Sequence, residues 1–311
     1  MILYSLCFFI IGLILTMRGG DVFVDSAAKI AEASGIPRFV IGATLVSICT
    51  TAPELTVSIL ASLRGASELA VGNAVGSVAC NTGLILGISA LLAPSVFSVR
   101  EAKTKGAVLI CLGVLTGCFC VDGVINSGEA LGLFTLLFAF LAMNLQNASN
   151  SENVSRNIKI NKVETFLMFL VGAISVVLGA KLMVDHGTRL ASMLGIPESI
   201  IGLTLVALGT SLPELMTTLS AIRKGHGMLS VGNIIGANII NLSLVVPSSA
   251  LASGGILVVE PEVFVRDLPF AVILIGISLI PPMFHGKFFR IQGLSLIVCY
   301  FIYVSILMRT I

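Results

Sequence analysis

Two glutamates sit in near-duplicate settings, GATLVSICTTAPEL from Gly42 to Leu55 and GLTLVALGTSLPEL from Gly202 to Leu215. Each stretch sets threonine, proline and glutamate inside a run apolar enough to lie in a bilayer. A carboxylate there costs about 2.5–3.5 kcal/mol even on the lenient insertion scale, so packing does not account for Glu54 and Glu214. Two such carboxylates predict a cation site. Ser47, Thr50, Thr51, Glu54 and Ser58 recur at spacings of three and four, which places them on one helical face, and Thr210, Ser211, Glu214 and Thr218 do the same. Pro53 and Pro213 lack an amide hydrogen and clash with the carbonyl four residues earlier, at Cys49 and Gly209, so each helix is expected to break or kink. Irregular backbone at membrane depth is tolerated only against protein or a wet cavity. Freed carbonyls beside Thr50 and Thr210 would then be oxygen ligands, and a hard cation such as Ca²⁺ takes roughly 6–8 oxygens.

A second pair of segments adds amides. VGNAVGSVACN (Val71 to Asn81) and VGNIIGANIIN (Val231 to Asn241) place Asn73, Ser77 and Asn81, and Asn233, Ala237 and Asn241, at four-residue steps on one stripe. Amide oxygens there either coordinate the ion or hold the glutamates, and Asn73 and Asn233 divide evenly between ligand support and packing. Gly72, Gly76, Gly232 and Gly236 read as packing positions that let a neighbouring backbone approach. Ser47 and Ser58 read as hydroxyls bonded back to their own helix. Asp25 and Asp185 have Lys29 and Arg189 four residues on, which predicts intrahelical ion pairs. His186, His226 and His285 have no clustered acid or nucleophile and read as surface residues.

The elements that must hold these groups are helices in lipid. The chain has 311 residues, of which 56% are hydrophobic and 11% charged, and a mean hydropathy of +1.07. That excludes a soluble globule. A net charge of +2, with no basic run interleaved with aromatics, excludes a nucleic-acid partner. Cys7, Cys49, Cys80, Cys111, Cys118, Cys120 and Cys299 form no CxxC pair and have no histidine at zinc-site spacing, so they read as small core residues. No lysine or arginine precedes the apolar run Met1 to Leu15, so it reads as a retained first helix rather than a signal peptide. Runs of membrane-spanning length fall near 1–25, 36–62, 69–94, 104–121, 126–145, 162–190, 196–222, 228–256, 267–284 and 289–308, which predicts ten transmembrane helices.

Lys29 and Arg38, then Arg100, Lys103 and Lys105, then Arg156, Lys159 and Lys162, then Arg223 and Lys224, then Lys287 and Arg290 fall in alternate loops. The positive-inside rule makes these cytoplasmic and both termini extracellular. The polar stretch 146–161 reads as a cytoplasmic linker, and its two sequons, at Asn147 and Asn153, therefore carry no glycan. A shift of about 160 residues aligns Gly19 with Gly179, Asp25 with Asp185, Glu54 with Glu214 and Asn81 with Asn241 without a gap. Five helices per copy, an odd number, put the second copy into the membrane from the opposite side. The expected fold is an all-α integral membrane protein of two inverted five-helix repeats, 1–145 and 162–311, with motifs 42–81 and 202–241 and broken helices at the midplane. In transporters such repeats place the substrate site where the halves meet.

TTAPEL and GTSLPEL, each followed by a GN-x-x-G-[SA]-x-x-x-N segment, resemble the repeats of the calcium/cation antiporter superfamily, most closely its prokaryotic sodium/calcium exchangers. The resemblance spans both halves. It implies a prokaryotic plasma-membrane protein that works by alternating access, with the first and sixth helices sliding past a fixed core and Ca²⁺ and Na⁺ competing for one set of sites. It implies that Glu54 and Glu214 are the shared carboxylates and that Thr50 and Thr210 give backbone carbonyls to Ca²⁺. Thr51, Ser211, Ser77 and the carbonyls of Ser47 and Ala207 would serve flanking Na⁺ sites, and Asn81 and Asn241 the central position. Three residues depart from the pattern: Ala237 replaces a serine, Asn241 stands where some members carry aspartate, and Cys49 replaces the glycine seen at Gly209. They bear on the Na⁺ sites and leave the divalent site intact.

Exchange also follows from electrostatics. A pair of carboxylates is neutralised by one divalent ion or by monovalent ions, not by both at once in a low-dielectric site. Exchange of Ca²⁺, or of Mg²⁺ or Mn²⁺, for H⁺ is the alternative, since protons titrate the same glutamates. A cation channel is a remote alternative, and no Ser/His, zinc or paired-aspartate constellation suggests an enzyme. No cofactor or protein partner is implied beyond the transported ions and the bilayer.

Overall fold

The computed structural model describes residues 2–96, 99–149, 161–194 and 207–309. The described residues are helical almost throughout. In order it forms α1 (Ile2–Ser34), α2 (Arg38–Thr50), α3 (Ala52–Leu63), α4 (Ser67–Leu92), α5 (Val99–Phe119), β1 (Val124–Asn126), α6 (Ser127–Ser149), α7 (Lys162–Met193), α8 (Ala207–Thr210), α9 (Leu212–Arg223), α10 (Gly227–Ala252), β2 (Ile256–Val258), α11 (Val263–His285) and α12 (Arg290–Leu307). Among the described residues, eight helices are long and apolar enough to cross a membrane, or up to nine if the bent pair α2 and α3 is one span. The expected seventh helix, 196–222, starts outside the described residues, and its described part is α8 and α9. Most of the expected linker, 150–160, also lies outside them, and α6 runs on to Ser149.

α1 is longer than the expected 1–25. At 33 residues it rises about 50 Å, well beyond a hydrocarbon core of about 30 Å. Its partner is α7, 32 residues long. They touch backbone to backbone: a Cβ on Gly179 would lie 2.4 Å from Thr16 Oγ1, and one on Gly172 2.6 Å from the amide of Phe23. Phe23 meets Phe169 beside this seam, ring centroids 4.7 Å apart and tilted by 39°.

The remaining helices enclose the main core around α4 and α10, whose Val75, Val78, Ile234 and Ile239 are fully buried. α4 and α10 run in opposite directions between two clusters of loops. One cluster joins 37–39, 93–96 and 225–228, with Phe288 donating its amide to the Ser95 carbonyl. The other gathers 65–69 and 258–263 with the end of α12, and β1 pairs antiparallel with β2 beside it, Ile125 opposite Leu257. Both helices carry a π-helical stretch, Cys80–Leu86 in α4 and Asn241–Val245 in α10. Such bulges often mark functional sites, and these two begin at or beside the expected ion ligands Asn81 and Asn241.

Several expectations change. His186 is not a surface residue: it is 6% exposed, stacked on Phe8 at 5.0 Å and edge-on to Tyr4. His226 is half-buried, and only His285 is exposed. All seven cysteines are free, yet Cys7, Cys111 and Cys118 face outward rather than into the core, as an apolar thiol can when the surroundings are lipid. Asp25 does not pair with Lys29. It accepts two bonds of 2.8 Å from Lys224 Nζ, because α1 leans on the end of α9 and brings a cation there closer than its own next turn. Asp185 and Arg189 form no ion pair among the described residues.

Candidate cation site

The break between α2 and α3 falls at Thr51, whose φ of −83° and ψ of 0° leave the helical region, and the chain bends by 44° there. Ser211, between α8 and α9, has φ −85° and ψ 3°. Both occupy the sparsely populated bridge region, where many active-site residues sit. Pro53 and Pro213 stand in the first turn of the restarted helix, where a missing amide hydrogen costs little. Glu54 and Glu214 share those first turns, so each carboxylate lies at the positive end of its helix. Both are 0% exposed.

Hydroxyls and amides cross between the two copies. Thr50 Oγ1 donates to Asn233 Oδ1 at 3.1 Å, and Thr210 Oγ1 donates to Asn73 Oδ1 at 3.3 Å. Each threonine is thus fastened to the repeat-related asparagine of the opposite copy. Asn73 also donates Nδ2 to the Glu54 carbonyl at 3.3 Å and to Ser58 Oγ at 2.9 Å. It is therefore a bracket on the turn that carries Glu54. Ser58 is not bonded back to its own helix as expected, since its hydroxyl reaches the Ala70 carbonyl on α4 at 3.2 Å. Ser47 is back-bonded as expected, to the Thr44 carbonyl at 3.1 Å.

Around these brackets lie buried polar atoms that bond to nothing among the described residues. Neither carboxylate oxygen of Glu54 makes a well-formed hydrogen bond, nor does Oε2 of Glu214. Thr51 Oγ1 donates to the other Glu214 oxygen at 3.3 Å. The hydroxyls of Ser77 and Thr210 stand beside Glu54, which itself lies in the field of Glu214, and those of Thr50 and Thr51 stand beside Glu214. Ser77 Oγ, Ser211 Oγ and both polar atoms of Asn81 and of Asn241 are also unpartnered. A buried unpaired polar group costs about 1–3 kcal/mol and a charged one more, so such a concentration fits a site built for a cation. Among the described residues no three His, Cys, Asp or Glu side chains converge as a metal cluster. The donor set is instead two carboxylates with hydroxyls and amides, the hard-oxygen chemistry of Ca²⁺ or Na⁺. Ala237 is fully buried and adds no oxygen. Ala207 opens α8, and its side chain lies outside the description.

Two features escaped the sequence reading. Cys80 stands beside Ser211 and the Tyr300 hydroxyl, within the field of both carboxylates, and nothing in its apolar run distinguishes it from the other cysteines. Asn238 donates Nδ2 to Thr82 Oγ1 at 2.7 Å, with its own Oδ1 unpartnered. The available signal was its place one residue after Ala237 and three before Asn241.

A cavity of about 1260 Å³ reaches the site. Its described lining includes Glu68, Glu260 and Glu262 toward the mouth and Asn73, Cys80 and Thr210 toward the carboxylates. Gly72 and Gly76 line it, and among the described residues nothing lies within 4 Å of a Cβ built on either. The segment that the repeat shift sets opposite them, 199–203, lies outside the described residues. Gly232 and Gly236 do pack: a Cβ there would fall 2.2 Å from the Phe39 carbonyl and 2.5 Å from that of Ala43. A second cavity, of about 540 Å³, lies between Arg38, Pro94 and His226, and no site residue is in its described lining.

Comparison with known proteins follows the same lines. The family described as sodium/calcium exchanger protein matches residues 4–146 and 164–309. A sodium/calcium exchanger of Methanosarcina acetivorans, MaX1, is 34% identical over 350 residues, covering 99% of this chain and 98% of that one. An uncharacterized membrane protein of Methanocaldococcus jannaschii is 35% identical over 309 residues, 98% of each chain. The solved structure of the sodium-calcium exchanger NCX_Mj soaked with 10 mM Na⁺ and zero Ca²⁺ superposes with a TM-score of 0.86 at 31% identity, covering 98% of this chain and 99% of that one.

Proposed function

We propose, for a chain that belongs to the sodium/calcium exchanger protein family, a secondary antiporter that exchanges Ca²⁺ for Na⁺ at the site of Glu54 and Glu214. The observation that carries this reading is the set of buried, unpartnered oxygens and amides around two fully buried carboxylates. Glu54 and Glu214 are the ligands shared by both ions. Thr50 and Thr210, whose hydroxyls are occupied by asparagines of the other copy, offer backbone carbonyls to Ca²⁺. Thr51, Ser77, Ser211 and the carbonyls of Ser47 and Ala207 serve Na⁺, with Asn81 and Asn241 at the centre. Asn73 and Asn233 hold the turns. Since the paired charge is satisfied by one divalent ion or by monovalent ions, each ion displaces the other, and exchange is obligatory.

The architecture belonging to this reading is ten helices in two inverted repeats, 1–145 and 162–311, with both termini outside a prokaryotic plasma membrane. The opposite directions of α4 and α10 support it. The larger cavity, with Glu68, Glu260 and Glu262, is then the extracellular approach, and the smaller one, beside Arg38 and His226, is the closed cytoplasmic mouth. Alternating access would exchange these roles.

Vesicles loaded with Na⁺ and diluted into Na⁺-free medium should take up Ca²⁺, and Glu54→Gln or Glu214→Gln should abolish the uptake. Uptake that survives either substitution rejects the site. Ala237, which contributes no oxygen where a hydroxyl would serve Na⁺, favours a second reading, exchange of Ca²⁺ or another divalent ion for H⁺. Ca²⁺ movement driven by a pH jump without Na⁺ would select it.

A further inference from the structure

Two ion pairs join α1 to the end of α9. Asp25 accepts two bonds of 2.8 Å from Lys224 Nζ. Asp21 accepts from Ser220 Oγ at 2.6 Å and pairs with Arg223. The two aspartates are four residues apart, one turn along α1, and their partners adjoin Gly225 and His226, which line the smaller cavity. The pairs thus strap the long α1–α7 arm across the mouth that does not reach the site. They are partly wet, with Asp25 48% and Arg223 54% exposed, so each is weak enough to break during a cycle.

The internal repeat supplies a mirror image. A shift of 160 residues carries Asp25 to Asp185 and Lys224 to Arg64. Arg64 immediately precedes Gly65, which lines the larger cavity. Asp185 and Arg64 are both exposed, and among the described residues they form no ion pair. The same shift carries Asp21 to Lys181 and Arg223 to Leu63, so the second strap has no counterpart.

We infer that these residues form an alternating ionic latch. Asp25 and Lys224 hold the arm while the larger cavity is open, and Asp185 and Arg64 hold it when that cavity closes. The unmatched Asp21–Arg223 pair biases the protein toward the first state. The inference rests on the alternating-access reading but not on which ions are exchanged.

The test is cross-linking in the full-length, cysteine-free protein in vesicles. Asp25→Cys with Lys224→Cys should cross-link readily. Asp185→Cys with Arg64→Cys should cross-link slowly, because that pair meets only in the less populated state. Adding Asp21→Asn should speed the second reaction about two- to five-fold, the population shift expected from one partly exposed pair. Adding Lys224→Gln as well should speed it further. A cross-link between positions 64 and 185 that never forms, or whose rate ignores Asp21 and Lys224, overturns the latch. Ca²⁺ uptake measured in parallel keeps the outcomes apart. Latch kinetics that hold without Na⁺-driven uptake reject the ion assignment alone, and uptake with no coupling between the pairs rejects the latch alone. Size-exclusion profiles identify misfolded variants, and for those Asp25→Asn replaces Lys224→Gln in the same assay.

Discussion

Gly76 and Gly236 hold the same place in two copies of one motif, and among the described residues Gly236 is closely packed while Gly76 is not. Gly236 is pressed against the Ala43 carbonyl and the Ser47 hydroxyl, while Gly76 lines the cavity that leads to Asn73 and Thr210. Gly232 and Gly72 repeat the contrast one turn earlier. The stripe is a seam in the second copy, where α2 lies against it, and in the first copy its repeat-related neighbour, 199–203, lies outside the described residues. If the copies exchange roles, both stripes must be able to pack and to line a cavity, and glycine is the residue that fits both.

Substitution at these two positions should break the comparison most visibly. A Cβ at Gly236 would lie 2.5 Å from the Ala43 carbonyl and 2.6 Å from Ser47 Oγ, so backbone must move, and Gly236→Ala should destabilise the protein by about 3 kcal/mol, the upper end of ordinary overpacking. Among the described residues Gly76→Ala meets no such contact, and it gains helix propensity of about 0.8–1 kcal/mol, so its thermal midpoint in the same detergent should hold or rise. If transport alternates, Gly76→Ala should nevertheless slow uptake, because closing the larger cavity would bring backbone against the new methyl. Equal thermal shifts at both positions would remove the distinction between seam and wall.

The crossed brackets should give the next largest effect. Thr50→Val leaves Asn233 Oδ1 without its donor, and Thr210→Val does the same to Asn73. A buried group left unpaired costs about 1–3 kcal/mol. Thr210→Val should be the worse of the two for transport, since Asn73 also holds the Glu54 carbonyl. Thr→Ser at either position keeps the hydroxyl and should restore both stability and Ca²⁺ uptake.

These brackets also mark the limit of what the sequence discloses. The glutamates, the prolines beside them and a break near each proline were legible, because the cost of a carboxylate in lipid and the geometry of proline are local facts, although the break itself falls two residues earlier, at Thr51 and Ser211. The helical membrane fold followed from composition, and the family from the paired motifs. What was not legible depends on contacts between distant segments. Asp25 was assigned to Lys29, one turn away, whereas its partner Lys224 is 199 residues off. Cys80 carries no local signal at all, since only folding sets it between Ser211 and Tyr300.

Ala237 is a smaller asymmetry, bearing on ions rather than on stability. Its counterpart Ser77 offers an unpartnered hydroxyl to the site, while the Ala237 methyl offers nothing. Ala237→Ser should raise apparent Na⁺ affinity several-fold, on the order of the 1 kcal/mol of one added hydrogen-bonding oxygen, and leave Ca²⁺ affinity nearly unchanged. Competition of Na⁺ against Ca²⁺ uptake measures both in one titration. An unchanged Na⁺ dependence would place the missing oxygen outside the Na⁺ path and favour protons as the counter-ion.

The pair Asn238 and Thr82 should yield the smallest effect of all when both are changed. The repeat shift maps them onto Val78 and Leu242, which are buried and apolar, so one copy holds by a hydrogen bond what the other holds by packing. Thr82→Leu alone leaves Asn238 Nδ2 unpaired and should cost on the order of 1 kcal/mol, but replacing both partners with apolar groups can be nearly neutral. Asn238→Val with Thr82→Leu should therefore recover the stability lost in the single variant. Transport by the double variant then decides what the pair is for. Unchanged Na⁺ and Ca²⁺ dependence would make it a packing contact, whereas a loss confined to ion affinity would assign the unpartnered Oδ1 of Asn238 to the ion path, on the side where Ala237 supplies no oxygen.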